Sequence, residues 1–119
     1  VVAHVSARDE RVLRECGAHA VWSVTSAKPG YGVQRLRDGD VGGTYWQSDG
    51  TQPHVITIEF DRTTSVCEVA YYVDVEKDES YTPHVVAIRA GTSLLDTREV
   101  RRDDVLDPVG WVRVPLWRD

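Results

Sequence analysis

Short runs of β-branched and aromatic residues, separated by turn signals, dominate the chain after residue 19. These runs are residues 20–24, 54–60, 66–74, 84–90 and 111–116. The clearest is Val55-Ile56-Thr57-Ile58-Glu59-Phe60, whose apolar side chains suit a strand with one deeply buried face. Residues 33–38 add one or two helical turns before Gly39. Because no helix-length crossover separates the strands, the pattern predicts an all-β sandwich or jelly roll.

A helical pattern is found near the amino end. Ser6 is a suitable N-cap, acidic residues follow in the first turn, and Gly17 provides a C-terminal stop. The sequence therefore predicts a short helix over residues 6–16. It also predicts a division into an N-terminal helical extension, residues 1–19, and a single domain, residues 20–119.

Composition and net charge argue against nucleic-acid-binding and membrane-spanning classes of protein. The chain has 119 residues, 28% of them charged, and a net charge of −5, which argues against binding nucleic acid by neutralising phosphates. We expect no membrane partner, because no apolar run approaches the roughly 20 residues that span a bilayer. Two cysteines and no visible signal peptide favour a reducing, intracellular location. The absence of methionine suggests a fragment or a processed chain.

Catalytic and metal-binding motifs do not stand out. The four histidines lack metal-ligand spacing, and no P-loop, dinucleotide fingerprint or nucleophile elbow is present. Four carboxylates cluster around one loop, at Asp74, Glu76, Asp78 and Glu79. This cluster is typical of a solvated acidic loop, although carboxylates also hold Ca²⁺ or act as glycosidase acid and base. The sequence predicts no catalytic residue, no cofactor and no metal site, and it leaves a metal at the acidic loop open.

The tryptophans suggest two roles. Trp22 and Trp111 stand in apolar stretches and are expected to pack in the core, with each indole N–H bonded to an internal acceptor. Trp46 lies among aromatic, amide and carboxylate residues at a loop edge. Such a mixture is typical of a peptide or sugar platform and also of a well-anchored structural loop.

Five ordered blocks resemble the Doc domain, the family of subunit ten of the anaphase-promoting complex, the large ubiquitin ligase of mitosis. The blocks cover most of residues 20–116: AVWSVTSAKPGYGV from Ala20, LRDGD from Leu36, TYWQSDGTQPH from Thr44, DESYTP from Asp78 and GWVRVPL from Gly110.

The resemblance implies a jelly-roll β-sandwich similar to galactose-binding domains. It also implies a non-catalytic subunit that, with a propeller-shaped coactivator, receives the destruction box, a short degron, and so promotes processive ubiquitination. Destruction-box substrates, the coactivator and other subunits of the complex are then the partners. Nucleus and cytoplasm are the expected locations.

The DESYTP block resembles the family's degron-facing loop. By that resemblance Ser80 is the foremost candidate for a peptide contact, with Asp78, Glu79 and Tyr81 beside it. The competing interpretation is that Pro83 and Asp78 simply shape a tight turn. The block containing Trp46 is interpreted mainly as fold-defining, with Asp49-Gly50 making the turn before the next strand.

The family pattern continues past the block that ends at Leu116, whereas this sequence diverges at residues 117–119. We therefore expect the last sandwich strands, a second degron-facing loop and a docking tail to be missing from a C-terminally truncated domain. Two alternatives remain. One is a carbohydrate-binding module that uses loop aromatics such as Trp46 and Tyr81, and the other is a metal-dependent hydrolase built on the acidic loop.

Overall fold

The computed structural model describes residues 2–9, 12–74, 83–106 and 108–116. These residues form eight strands, one short α-helix and one 3-10 turn. No helix in these ranges is long and apolar enough to cross a membrane. The elements are β1 (Val2–Asp9), β2 (Val12–Glu15), the 3-10 turn (Gly17–His19), β3 (Ala20–Val24), α1 (Gln34–Arg37), β4 (Ile56–Phe60), β5 (Glu68–Asp74), β6 (Val85–Gly91), β7 (Thr97–Asp104) and β8 (Val109–Pro115).

Antiparallel pairing organises the described strands into three sheets. One has four strands in the order β2-β1-β5-β8, and the other two are the ribbons β3-β4 and β6-β7. The protein is thus mostly β-sheet with almost no helix, which is compatible with the predicted all-β sandwich. The jelly-roll topology and the similarity to galactose-binding domains stay predictions.

The five strands expected after residue 19 are all present. The first matches β3 at both ends, and the other four differ from β4, β5, β6 and β8 by one or two residues at their ends. The helical turns expected over residues 33–38 are also confirmed, as α1. The sequence pattern missed β7, which carries charged side chains at most positions.

The helix predicted over residues 6–16 is wrong. This part of the chain forms β1 and β2, which pair antiparallel with Ser6 opposite Glu15. β1 also pairs with β5, and its side chains alternate so that Ala3 and Val5 are buried. Tertiary pairing with β5 therefore overrides the local capping signals, because capping residues favour a helix by only about 1 kcal/mol.

The core lies between the inner face of the four-stranded sheet and the elements opposite it. Trp46 is buried, as the fold-defining interpretation of its block expects, and its indole Nε1 donates to the Ser26 carbonyl at 2.9 Å. Trp22 is half-buried against this core and donates to the Gly17 carbonyl at 2.9 Å. The buried residues of the core are Ala3, Leu36, Trp46, Tyr71, Val73, Val105 and Val114.

Trp111 does not belong to this core, so that prediction is wrong. Its side chain is 39% exposed and lies on the outer face of the four-stranded sheet. The reason is the strand alternation: Val112 and Val114 take the inward positions of β8, which turns the intervening positions outward.

Arg37, at the end of α1, joins the β1–β2 pair to the rest of the protein. Its Nη1 donates to the Ala3 carbonyl at 2.9 Å, and its Nη2 lies 2.6 Å from Glu15 Oε1. Its Cζ lies 4.5 Å from the ring centroid of Trp22. Glu15 also accepts the backbone N–H of Val5, at 2.9 Å. One guanidinium therefore bonds to both strands of the pair and stacks on β3.

Candidate functional site

The four predicted degron-contact residues, Asp78, Glu79, Ser80 and Tyr81, lie outside the described residues. Their assignment stays a prediction. The same is true of Glu76 and hence of most of the acidic cluster.

The two flanks of this segment are described, and both are attached to buried positions. On one side β5 ends at Asp74, directly after Val73, which is 2% exposed. On the other side the His84 carbonyl accepts the backbone N–H of Val105 at 2.8 Å, and Val105 is buried. Residues 75–82 therefore connect two anchored strands, the arrangement by which rigid scaffolds carry binding loops.

An aromatic patch, formed by His4, Tyr72 and Trp111, lies near the described end of β5. The ring centroids of His4 and Trp111 are 4.9 Å apart, and those of Tyr72 and Trp111 are 5.6 Å apart in an edge-on arrangement. Tyr72 and Trp111 are opposite each other in the register of β5 and β8, two residues before the end of β5. The patch therefore lies on the outer face, near the described end of β5.

Aromatic rings on an exposed sheet face can stack against peptide side chains and attract cations. The sequence pattern did not predict this patch, because Trp111 was expected in the core. A usable signal was present: Tyr71 and Tyr72 are adjacent in β5, and strand alternation allows only one of them to face inward.

A second pair of aromatic rings is exposed on the loops around Trp46. The ring centroids of Tyr31 and Tyr45 are 4.9 Å apart, and the two residues are 38% and 39% exposed. Backbone bonds join these loops, since Gln47 N donates to the Tyr31 carbonyl at 3.1 Å. The buried Trp46 is not accessible as a sugar platform, whereas the tyrosine pair is accessible.

Two open cavities are present in the described part of the protein. The first, of about 300 Å³, includes Cys16 in its lining, and burial raises the pKa of the Cys16 thiol. A raised pKa leaves the thiol protonated and unreactive at neutral pH. The second, of about 270 Å³, lies beside β8 and is lined partly by Tyr71, whose buried hydroxyl has no hydrogen-bond partner among the described residues.

Both cysteines are free and buried. Within the described ranges, no three histidine, cysteine, aspartate or glutamate side chains are grouped closely enough to hold a metal ion.

Comparison with known proteins agrees with the resemblance found in the sequence. The model of the family "Anaphase-promoting complex, subunit 10" matches residues 3–119. "Anaphase-promoting complex subunit 10" of Drosophila melanogaster is 48% identical over 104 residues, which cover 87% of this chain and 53% of that protein. The Homo sapiens protein of the same name is 47% identical over 104 residues, covering 87% of this chain and 56% of that protein.

The Dictyostelium discoideum protein of this name is 47% identical over 102 residues, or 86% of this chain and 54% of that protein. The chain thus spans about half the length of the curated relatives it matches. A family match over nearly the whole chain, with relatives at this level of identity, shows that the chain belongs to the anaphase-promoting complex subunit 10 family.

Proposed function

We propose that this chain acts as a non-catalytic, substrate-recognition subunit of the anaphase-promoting complex. In this role it forms, with a propeller coactivator, the receptor for destruction-box degrons and thereby promotes processive ubiquitination in mitosis. The observation that carries the proposal is the family match over residues 3–119. Other subunits of the complex are then its partners, and nucleus and cytoplasm are its proposed locations.

The geometry supports the site in one respect. The loop predicted to contact the degron connects β5 and β6, whose ends are attached to buried Val73 and Val105. Fixing both ends of a loop lowers the conformational entropy that is lost when the loop becomes ordered on a peptide. Two weak contacts, one on this subunit and one on the coactivator, raise the effective concentration of the degron and slow its release.

The test is a titration of a fluorescent destruction-box peptide, followed by anisotropy, with the coactivator propeller present. We expect the complete gene product and the propeller together to bind the peptide more tightly than the propeller alone does. Ser80→Ala should weaken binding several-fold. Ser65→Ala is the matched control, because Ser65 is an exposed serine before β5, at the other end of that strand.

Equal binding by the Ser80→Ala variant would refute the assigned contact. Equal binding with and without this protein would refute the receptor function. A carbohydrate-binding module is the second candidate, now supported by the exposed Tyr31–Tyr45 pair rather than by Trp46. Binding to a glycan array that is lost in Tyr31→Ala would favour that function instead.

A further inference from the structure

The β6–β7 hairpin extends from the core into solvent. Near its base Val86 and Ile88 pack against the core, and the Val105 N–H closes the hairpin on the His84 carbonyl. Beyond Ile88, every residue from 89 to 102 is exposed except Thr97, which is half-buried. The outer half of the hairpin thus touches little of the described protein.

Two leucines occupy the tip of this hairpin. Leu94 is 62% exposed and Leu95 is 101% exposed, the largest exposure among the large hydrophobic residues described. Single apolar residues scattered on a surface are ordinary, but two adjacent leucines at the end of a projecting element present a continuous apolar surface. Water is a poor solvent for this surface, so its burial against a partner is favourable.

The tip is held in one shape by its own contacts. Arg89 donates from Nε to the Thr97 hydroxyl at 3.1 Å and from Nη2 to the Thr97 carbonyl at 2.7 Å. The Asp96 N–H donates to the Ser93 carbonyl at 3.1 Å. Gly91 lies so close to the Asp96 carbonyl that a Cβ atom at that position would collide with it. A preordered tip loses little conformational entropy when it binds.

The charge around the leucines is opposite in sign to that of the whole chain. Residues 89–102 contain four arginines against Asp96 and Glu99, whereas the chain carries a net charge of −5. Glu99 is paired with Arg102 at 2.7 Å, and Asp103 is paired with Arg101 at 3.1 Å. Beside the leucines this leaves Arg89 and Arg98 against Asp96, an excess of one positive charge. The complementary surface is therefore an apolar socket with acidic residues at its rim.

We propose that the β6–β7 hairpin is a docking element, and that Leu94 and Leu95 insert into an acidic-rimmed apolar socket on another protein subunit of the anaphase-promoting complex. Arg98 steers the approach and pairs with the rim. This inference rests on the proposed function for the identity of the complex. The features of the hairpin itself, two exposed leucines on a preordered basic tip, are independent of the degron loop.

The test uses the complete gene product and the purified complex of the same organism lacking subunit ten. Binding is measured by biolayer interferometry for the wild type, for the double variant Leu94→Ser/Leu95→Ser, and for Leu106→Ser as the matched control. Leu106 is 86% exposed but lies outside the hairpin tip. We expect the double variant to bind at least tenfold more weakly and the control to bind like the wild type.

Arg98→Glu should slow association several-fold. It should also make the association rate depend less on the salt concentration. Circular dichroism during thermal unfolding checks that each variant is folded. We expect no loss of thermal stability in the double variant, because neither leucine is buried in the described protein.

A photoreactive residue in place of Leu95 identifies what covers the tip. A crosslink to another subunit of the complex supports the proposal. A crosslink within the same chain, a crosslink to a second copy, or equal binding by wild type and double variant overturns it. If the protein co-sediments with anionic phospholipid vesicles and does not bind the complex, the proposal is also overturned.

The results separate the two proposals. If the wild type binds the complex and the double variant binds equally well, the docking element is wrong and the proposed function stands. If the wild type does not bind the complex at all, both proposals fail.

Discussion

The β1–β2 and β6–β7 hairpins are both antiparallel strand pairs that contain arginines, yet they are held to the protein in different ways. β1 is paired on both of its edges, and Arg37 ties the pair to α1 and β3 through the Ala3 carbonyl, Glu15 and the Trp22 ring. Among the described strands, β6 and β7 pair only with each other. Arg89 and Arg102 bond within the hairpin, and Arg101 reaches beyond it through a long bond of 3.5 Å from its Nη1 to the Pro115 carbonyl of β8.

This difference separates two uses of similar side chains. In the first hairpin a charged network joins distant parts of the chain, so its loss should weaken the whole fold. In the second hairpin the ion pairs are local and exposed, so their loss should leave the fold intact. Stability is thus concentrated around Arg37, and the β6–β7 tip is available for recognition.

The largest contrast is expected between two leucines. Leu36→Ala removes a side chain that is 0% exposed in α1 and should destabilise the protein by about 3 kcal/mol, as buried leucine truncations do. Leu95→Ala, at the tip of β6–β7, should change the free energy of unfolding by less than about 0.5 kcal/mol. Urea denaturation followed by tryptophan fluorescence measures both, and equal losses would show that the β6–β7 tip contributes to stability as much as the core does.

The next contrast is between two arginines. Arg37→Ala removes a bond to the Ala3 carbonyl and the ion pair with Glu15, and should cost about 2 kcal/mol of unfolding free energy. Arg102→Ala removes an ion pair whose partners are 60% and 38% exposed, and should cause no measurable change in the free energy of unfolding. The same urea experiment applies. A small effect of Arg37→Ala would show that the network does not hold the first hairpin.

These contrasts also explain how far the sequence predicted the fold. Strands β3, β4, β5, β6 and β8 contain apolar residues that mark a buried face, and all five were predicted. Residues 6–16, which form the end of β1 and all of β2, were predicted as a helix because Ser6 and Gly17 give local capping signals, whereas the pairing of β1 with β5 joins residues far apart in the sequence. β7 was missed because an exposed ribbon needs no apolar alternation.

The site was predictable only in part. The resemblance predicts a degron loop at Ser80, which stays a prediction. It assigned no binding role to the aromatic patch, although Trp111 lies in a matching block, or to the hairpin tip. Trp111 was placed in the core because large aromatics usually are buried, and only the register of β5 and β8 reveals that it faces outward. The leucines of the tip stand out only when their exposure is known.

A smaller contrast concerns two glutamates and pH. Burial alone would raise the pKa of Glu15, but hydrogen bonds from Arg37 and from the Val5 and Gly17 N–H groups outweigh it and hold the pKa below its ordinary 4.5. A carboxylate with a lowered pKa in the folded state stabilises the protein above its unfolded pKa, and this contribution is lost as the pH falls through the folded pKa.

Glu15→Gln should therefore destabilise the protein by about 1 kcal/mol at pH 7, and the difference from the wild type should shrink below about pH 4.5. The hydrogen bond from Arg102 also lowers the pKa of Glu99, but this pair is exposed and screened by salt. Glu99→Gln should show no measurable change at physiological ionic strength. Urea midpoints between pH 3.5 and 7 distinguish the two variants, and a pH-independent effect of Glu15→Gln would contradict the assignment.

The smallest effect is expected at the hairpin tip. Thr97→Ala removes the hydroxyl that accepts the Arg89 Nε bond and leaves the backbone bond from Arg89 Nη2 in place. Amide exchange at Asp96 should accelerate about two- to fivefold, equivalent to about 0.4–1 kcal/mol of local opening, with no change in global stability. Thr92→Ala, at an exposed threonine of the same tip, is the control. Hydrogen exchange followed by NMR measures each amide separately.

If exchange accelerates equally in β1 and β2, the tip is coupled to the core, and its order cannot be altered without weakening the Arg37 network. If it accelerates only at the tip, the shape that presents Leu94 and Leu95 is maintained locally, and the two hairpins are energetically separate.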